Sequence, residues 1–304
     1  EELKSRLPLV FDVTSPRGRQ ECLMVRQVTD RQSAQEDVGF VMWPSAVVLA
    51  SWLLDQDEAY LRSKSQILEI GAGCGLTGLV AARMVQKIVL DDGDMNTKEG
   101  SDDGTLDTYN SSSSEEGSGD ELKQHPQVIL SDFNQKVLMN ADGNIDLNGL
   151  GRVCRTMQLD FYRQDGSSYD SGWIGQSLNQ IESEEENAHT TQQQSPVDLI
   201  LAADVICKPS DSVAASNTIY DALVPGGEAI VVSADAAHRF GVDIFERECH
   251  RNGLEVETTN VADMCSGKLF PSAQDDEDPC GIRQTSGFVE GMTLTMFRVK
   301  KPVR

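Results

Sequence analysis

The run ILEIGAGCGLTGL, residues 67–79, constrains this chain more than any other segment. Glycines 71, 73, 75 and 78 fall directly after a short apolar stretch. An apolar run that ends on glycines reads as a buried parallel strand. Glycine adopts backbone angles that other residues avoid and lets the backbone approach a ligand closely. The segment therefore predicts a strand, a ligand-cradling loop and a helix, which is a unit of an α/β fold.

Gly73-Cys74-Gly75-Leu76-Thr77-Gly78 also fits GxGxxG, the dinucleotide signature. Three features argue against a dinucleotide. Glu69 stands at the strand end, where a carboxylate repels a pyrophosphate but suits a ligand bearing an ammonium group. About 65 residues precede this strand, whereas dinucleotide folds open near it. Further along, PGG (225–227) precedes a fifth strand, and a hairpin ends the chain, as in a different sheet. An acid at the end of the second strand takes ribose hydroxyls, because a carboxylate accepts two hydrogen bonds from a vicinal diol. Asp132 in VILSD fits that role, 57 residues beyond Gly75. The rival is Asp91 in KIVLDD, at nearly the usual spacing of roughly 20.

The remaining pattern alternates. Residues 10–16 and 22–29 read as two short strands around a turn. Pro44 suits a first helical position, with Val47, Val48, Leu49, Leu53 and Leu54 as an apolar face. After the strand at 65–70, the pattern predicts a helix over 77–85 and a strand over 127–132. A helix over 134–148 and strands at 153–159 and 197–204 follow. A helix over 210–223 stops at the PGG breaker, before a strand at 228–235 and a helix over 242–252. Strands at 254–261 and 292–300 close the chain as an antiparallel hairpin at one edge. Asn144 and Asn148 read as helix-ending residues without chemistry.

Of 304 residues, 49 are acidic and 26 basic, a net charge of −23. Three stretches, 91–126, 163–196 and 271–286, carry −17 of it. Runs of Ser, Gly, Asp and Gln bury too little surface to offset ordering entropy, so these read as solvated insertions. The domain division expected is an N-terminal β-hairpin extension, 1–37, and one domain over 38–304 carrying the three insertions. The acidity argues against a phosphate-backbone binder. No run of about 18 apolar residues predicts a membrane span. Residues 1–10, EELKSRLPLV, lack a basic-then-apolar signal pattern. Seven scattered cysteines read as free thiols in a reducing compartment, and the spacing suggests no metal site.

With these motifs in hand, the chain resembles S-adenosylmethionine-dependent methyltransferases of the seven-strand class. More narrowly, it is similar to the family-16 protein lysine methyltransferases. The match is carried by VGFVMWPSAVVLASWLL (38–54), ILEIGAGCGLTGLVAA (67–82), VILSDFNQKVLMNADGNIDLN (128–148), MQLDF (157–161), DLILAADVI (198–206) and LVPGG (223–227). The resemblance implies a Rossmann-like α/β fold. Its seven-stranded sheet is mostly parallel with an antiparallel last strand, has helices on both faces and follows an N-terminal β-hairpin.

The resemblance also implies S-adenosyl-L-methionine as cofactor and a protein substrate, most simply methylated on lysine. It further implies a monomer acting in the cytoplasm, with the nucleus as a second location. Trp43 would line the cofactor pocket. Gly71, Ala72 and Gly73 would pass under the methionine portion, with Glu69 near its amino group. Asp132 would hold the ribose, Asp160 and Phe161 would flank the adenine, and Ala203 would lie near the reactive end. Asp204 starts the D-x-x-[YF] motif and would orient the substrate amine. This sequence has Phe161 where the family usually has Trp, and Cys207 where it usually has an aromatic. Simpler readings stand beside these: Trp43 as a core aromatic, Asp160 as a loop acid, Asp204 as a helix cap, and Cys74 as a small packing residue.

Overall fold

A computed structural model describes residues 8–14, 20–27, 35–96, 125–162, 196–261, 282, 285 and 287–303. The first two strands, β1 (Leu9–Thr14) and β2 (Gln20–Val25), pair antiparallel. A 3-10 helix (Gln35–Phe40) leads into α1 (Pro44–Leu54), with Pro44 at its first position. Then follow α2 (Glu58–Arg62), β3 (Gln66–Ile70), α3 (Leu76–Asn96), β4 (Gln127–Asp132), α4 (Gln135–Leu147) and β5 (Cys154–Gln158). The chain closes with β6 (Val197–Ala203), α5 (Pro209–Ala222), β7 (Leu223–Ala234), α6 (Val242–Arg251), β8 (Glu255–Asn260) and β9 (Leu294–Lys300).

Seven strands form one sheet in the order β5-β4-β3-β6-β7-β9-β8. β3 is parallel to β4 and β6, and β7 is parallel to β6. Only β9 runs against both of its neighbours. This is the Rossmann-like methyltransferase sheet expected above, mostly parallel with an antiparallel last strand. The last strand is inserted between β7 and β8 instead of closing outside them. β8, reading EVETTN and largely exposed, is left as a polar edge that resists further pairing.

Both faces of the sheet are buried at its centre, which explains why β3, β4 and β6 read as apolar runs. Along β3, Ile67 points into one core with α1, α3 and the hairpin, and Leu68 points into the other with α5 and α6. This alternation is the pleat of a strand expressed on two covered faces.

Several expectations are corrected by the structure. Pro225, Gly226 and Gly227 do not separate a helix from a strand, because β7 begins at Leu223 and runs through them. Gly226 takes φ 83, and its amide donates to the Lys301 carbonyl. The KIVLDD segment is no strand either. α3 extends to Asn96, so Asp91 lies in a helix and is not a strand-end acid. The first acidic stretch therefore begins inside α3, and most of the three stretches lies outside the described residues.

Asn144 is not a helix end. It lies within α4 and is fully buried, while Asn148 caps the helix. With Asn140 they form a ladder at four-residue spacing, one face of the helix. Asn148 accepts from the Met24 amide at 2.8 Å and donates to the Met24 carbonyl at 2.7 Å. Asn144 accepts from the Arg26 amide at 2.9 Å, and Asn140 donates to the Arg26 carbonyl at 3.1 Å. The side-chain amides thus replace a neighbouring strand for the backbone of β2 and the residue after it. Removing one leaves half-buried backbone groups of Met24 or Arg26 without that partner, at up to about 1–3 kcal/mol each. Asn144→Ala is expected to lower the denaturant midpoint accordingly and to speed hydrogen exchange at Arg26 first. Unchanged Arg26 exchange would show that the ladder does not hold the hairpin.

Candidate functional site

The parallel strands β3, β4 and β6 all deliver their carboxyl ends to one edge of the sheet, where α/β folds bind ligands. A cleft of about 650 Å³ opens there, within the range of small-molecule sites. Trp43, Glu69, Gly71, Ala72, Gly73, Asp132, Asp160, Phe161, Ala203 and Asp204 all line it. The structure therefore brings every candidate residue to one place, and leaves Asp91 outside.

The loop after β3 is shaped by left-handed backbone. Gly73 has φ 54, which a side chain would adopt only at about 1–2 kcal/mol. A Cβ on Gly73 would also stand 3.1 Å from the Gly39 carbonyl oxygen. The Gly73 amide points at Asp132 and donates to Oδ2 at 3.3 Å. Asp132 Oδ1 accepts from the Asn134 amide at 3.0 Å. The carboxylate is thus held by backbone on both sides of the cleft floor. Its own burial still raises its pKa, because those donors do not fully replace water.

Glu69 sits beneath the loop, 2 % exposed. Its Oε2 accepts from the Gly78 amide at 2.9 Å, in the first turn of α3. An acid at a helix N-terminus is favoured by the orphan amides there. Gly78 makes the contact possible, since a Cβ would meet that oxygen at 2.5 Å. Burial nonetheless dominates and pushes the Glu69 carboxyl up to about 8.

At the rim, exposed Asp160 accepts from the Tyr162 amide at 2.8 Å, and this turn presents Phe161 to the cleft. The Tyr162 hydroxyl donates to Asp211, which also accepts from the amides of Cys207 and Lys208 at 2.8 and 2.9 Å. Asp211 thereby ties the rim to the start of α5. Sequence reasoning missed it, although an acid at the third position of a Pro-initiated helix is a capping signal.

Asp204 follows β6 with φ 59, the one non-glycine residue in left-handed backbone among the described residues. Such a conformation costs about 1–3 kcal/mol and persists where surroundings impose it. Its amide is fixed to the Val232 carbonyl at 2.8 Å. Both carboxylate oxygens are taken by Arg239, with Nε–Oδ1 at 3.0 Å and Nη2 on Oδ2. The guanidinium lies 5.2 Å from the Trp43 ring centroid, within cation–π range. Arg239 was not legible as a site residue, because 35 residues separate it from Asp204 and no local pattern marks it. Gly287 also packs against Trp43, where a Cβ would overlap the ring at 1.9 Å, and the Trp43 Nε1 donates to the Val38 carbonyl.

The polar lining is dominated by carboxylates: Glu69, Asp132, Asp160, Asp204 and Asp211, with Lys208 as the lining cation. That set repels a pyrophosphate. It fits a ligand that brings an ammonium group and a vicinal diol, as S-adenosyl-L-methionine does.

A family model described as lysine methyltransferase matches residues 25–99, from the end of β2 across the glycine loop and α3. Among solved structures, the chain is similar to a TehB-like SAM-dependent methyltransferase from Corynebacterium glutamicum. That match has 14 % identity and a TM-score of 0.41, covering 86 % of this chain and 88 % of that one. An O-methyltransferase from a trans-AT PKS multienzyme of Brevibacillus brevis, in complex with S-adenosyl-L-homocysteine, matches at 10 % identity and a TM-score of 0.43. It covers 86 % of this chain and 72 % of that one. The [4+2]-cyclase SpnF matches at 12 % identity and a TM-score of 0.42, covering 90 % and 84 %. No curated protein matches the chain by sequence.

The raised pKa of Glu69 gives a stability signature. Its carboxyl binds a proton more tightly folded than unfolded, so its contribution is present below the ordinary value of 4.5 and is lost as pH rises towards about 8. Glu69→Gln removes that titration. In urea melts without ligand, the stability of the variant relative to wild type is expected to grow between pH 5 and pH 8. A constant difference across that range would mean the carboxyl is not destabilised by burial.

Proposed function

We propose that this chain, a seven-strand methyltransferase by its sheet and by the family model matched over residues 25–99, methylates a lysine side chain of a protein. The observation that carries the reading is the convergence of Glu69, Asp132 and Asp204 on one carboxylate-lined cleft. S-adenosyl-L-methionine, when bound, supplies a methyl group on a sulfonium for in-line displacement. The chemistry of alignment falls to the protein.

In this reading the Gly71–Gly75 loop gives close backbone approach, and Glu69 faces the amino group at the β3 end. Asp132, already fixed by the Gly73 and Asn134 amides, keeps lone pairs for a diol. Phe161 and Trp43 give flat apolar walls that exclude water. Asp204, rigid in its strained backbone, faces the acceptor nitrogen. The acceptor must arrive as a neutral amine, and from an ordinary value of about 10.4 that costs roughly 4–5 kcal/mol at pH 7. Burial in the cleft favours the neutral form. Cys207 at the cleft wall leaves more room than a ring, which favours a second reading: a small-molecule or other side-chain acceptor. The partner in the main reading is a protein, met by a monomeric chain inside the cell.

Calorimetry tests the cofactor assignment. S-adenosyl-L-methionine and S-adenosyl-L-homocysteine are expected to bind the wild-type chain, and NAD is not. Asp132→Ala should weaken binding by tenfold or more, since a charge-assisted hydrogen bond contributes about 1.5–3 kcal/mol. Asp91→Ala should change nothing. Equal effects of the two substitutions would overturn the role of Asp132. Labelling of a cell lysate with radioactive cofactor separates the acceptor readings. A labelled protein band that Asp204→Ala abolishes, while still binding cofactor, supports protein methylation. Label found only in small molecules supports the second reading.

A further inference from the structure

The Asp204–Arg239 pair spans a wall. Asp204 lines the cofactor cleft, and Arg239 lines a second cavity of about 280 Å³ beyond Trp43. The two cavities share Val38, Val41 and Trp43, so they meet at that ring. Phe288 and Met292 add apolar side chains to that second cavity, beside His238 and Arg239. The side chain of Asp204 is 3 % exposed and that of Arg239 16 %. Arg239 is anchored three ways: on both Asp204 oxygens, on the His238 carbonyl through Nη1 at 3.0 Å, and over the Trp43 ring. A guanidinium so held does not yield its place to an incoming ammonium.

That arrangement has a chemical consequence at an amine acceptor. A lone carboxylate within about 4–6 Å would raise the acceptor's pKa by about 1–3 units and keep it protonated. A protonated amine has no lone pair for displacement. A carboxylate paired with a guanidinium belongs to an ion pair that as a whole carries no net charge, yet its oxygens retain lone pairs for an N–H donor.

We infer that Arg239 is a positioning residue of the transfer site, which neutralises Asp204 so that the acceptor amine is oriented by a carboxylate without being held as an ammonium. The inference rests on the amine-acceptor reading above. The other groups around the pair do not replace Arg239. His238 is engaged by Asp235, Nδ1 to Oδ1 at 2.9 Å. Cys207 and Lys208 follow Asp204 along the cleft wall, with Lys208 over the Tyr162 ring. Asp132, Asp160 and Asp211 are further carboxylates of the cleft, which makes the charge compensation of Asp204 by Arg239 matter more.

The test uses n-butylamine, labelled with carbon-13 next to nitrogen, as a stand-in for a lysine side chain. It is titrated with pH on the full chain saturated with S-adenosyl-L-homocysteine, and the carbon shift reports protonation of the bound amine. In wild type and Arg239→Lys the midpoint is expected below that of free amine. In Arg239→Gln it should rise by about one unit or more. The double variant Asp204→Asn/Arg239→Gln should bring it back down. Calorimetry with S-adenosyl-L-homocysteine checks that each variant keeps its cleft. If Arg239→Gln does not fold, Asp204→Asn carries the test with the opposite sign: its unpaired guanidinium should lower the midpoint further. Equal midpoints in wild type and the single variants overturn the role of Arg239 and leave the amine-acceptor reading intact. Failure of the loaded wild-type chain to bind n-butylamine overturns both.

Discussion

The parallel pairing of β3 with β4 on one side and β6 on the other is the constraint on which the site depends. Ile70 is level with Ser131 and with Ala202. The residues that follow therefore leave the sheet at the same height: Gly71 into the loop, Asp132 on one flank, Ala203 and Asp204 on the other. A one-residue slip would exchange the two faces and bury Asp132 away from the loop. The slip is prevented because both faces are packed, Ile67 into one core and Leu68 into the other. Catalytic geometry is thus a by-product of burying apolar residues on both faces.

Gathering carboxylates at one edge creates a second problem, since like charges and burial both oppose ionisation. The structure meets it locally in each case. Glu69 has the first turn of α3, Asp132 has the loop amide, Asp211 has two amides of the α5 start, and Asp204 has Arg239. Only Asp204 is met by a full cation. Glu69 and Asp132 still hold their protons more tightly than free carboxyls do, because burial outweighs those backbone donors.

What the sequence made legible follows from how local each signal was. The strand and glycine loop of residues 66–75 and the start of α3 were plain, because apolar run, glycines and helix are contiguous; the reach of α3 beyond residue 85 to Asn96 was not. The sheet as a whole was plain for the same reason, strand by strand. The PGG segment misled because glycine and proline near a helix end are a breaker signal, whereas here they sit where β7 makes irregular pairing with β6. Asn144 misled for a different reason, whereas Asn148 does cap α4 as its polarity suggested. The polarity of Asn144 fits a helix end too, and only the docked hairpin, more than 100 residues away, explains why both side chains are buried. Arg239 was out of reach in the same way: its meaning lies entirely in a partner on another strand end.

These nonlocal contacts also connect the hairpin to the loop. Asn144, whose carbonyl oxygen holds the Arg26 amide, donates through Nδ2 to the Cys74 carbonyl at 3.0 Å. Cys74 is the residue between Gly73 and Gly75, and its thiol lies 3.7 Å from the Gly39 carbonyl. One buried side chain therefore fixes the hairpin and the apex of the glycine loop against the same helix. A loop with three left-handed glycines has much conformational freedom to lose, and glycine loses more than any other residue on ordering. Holding Cys74 removes part of that freedom before a ligand arrives. The hairpin then serves the site as well as the fold, since Met42, just ahead of Trp43, is held by the Gln27 side chain that follows β2. The N-terminal segment, which lends no strand to the main sheet, ends up bracing both the floor and the aromatic wall of the cleft.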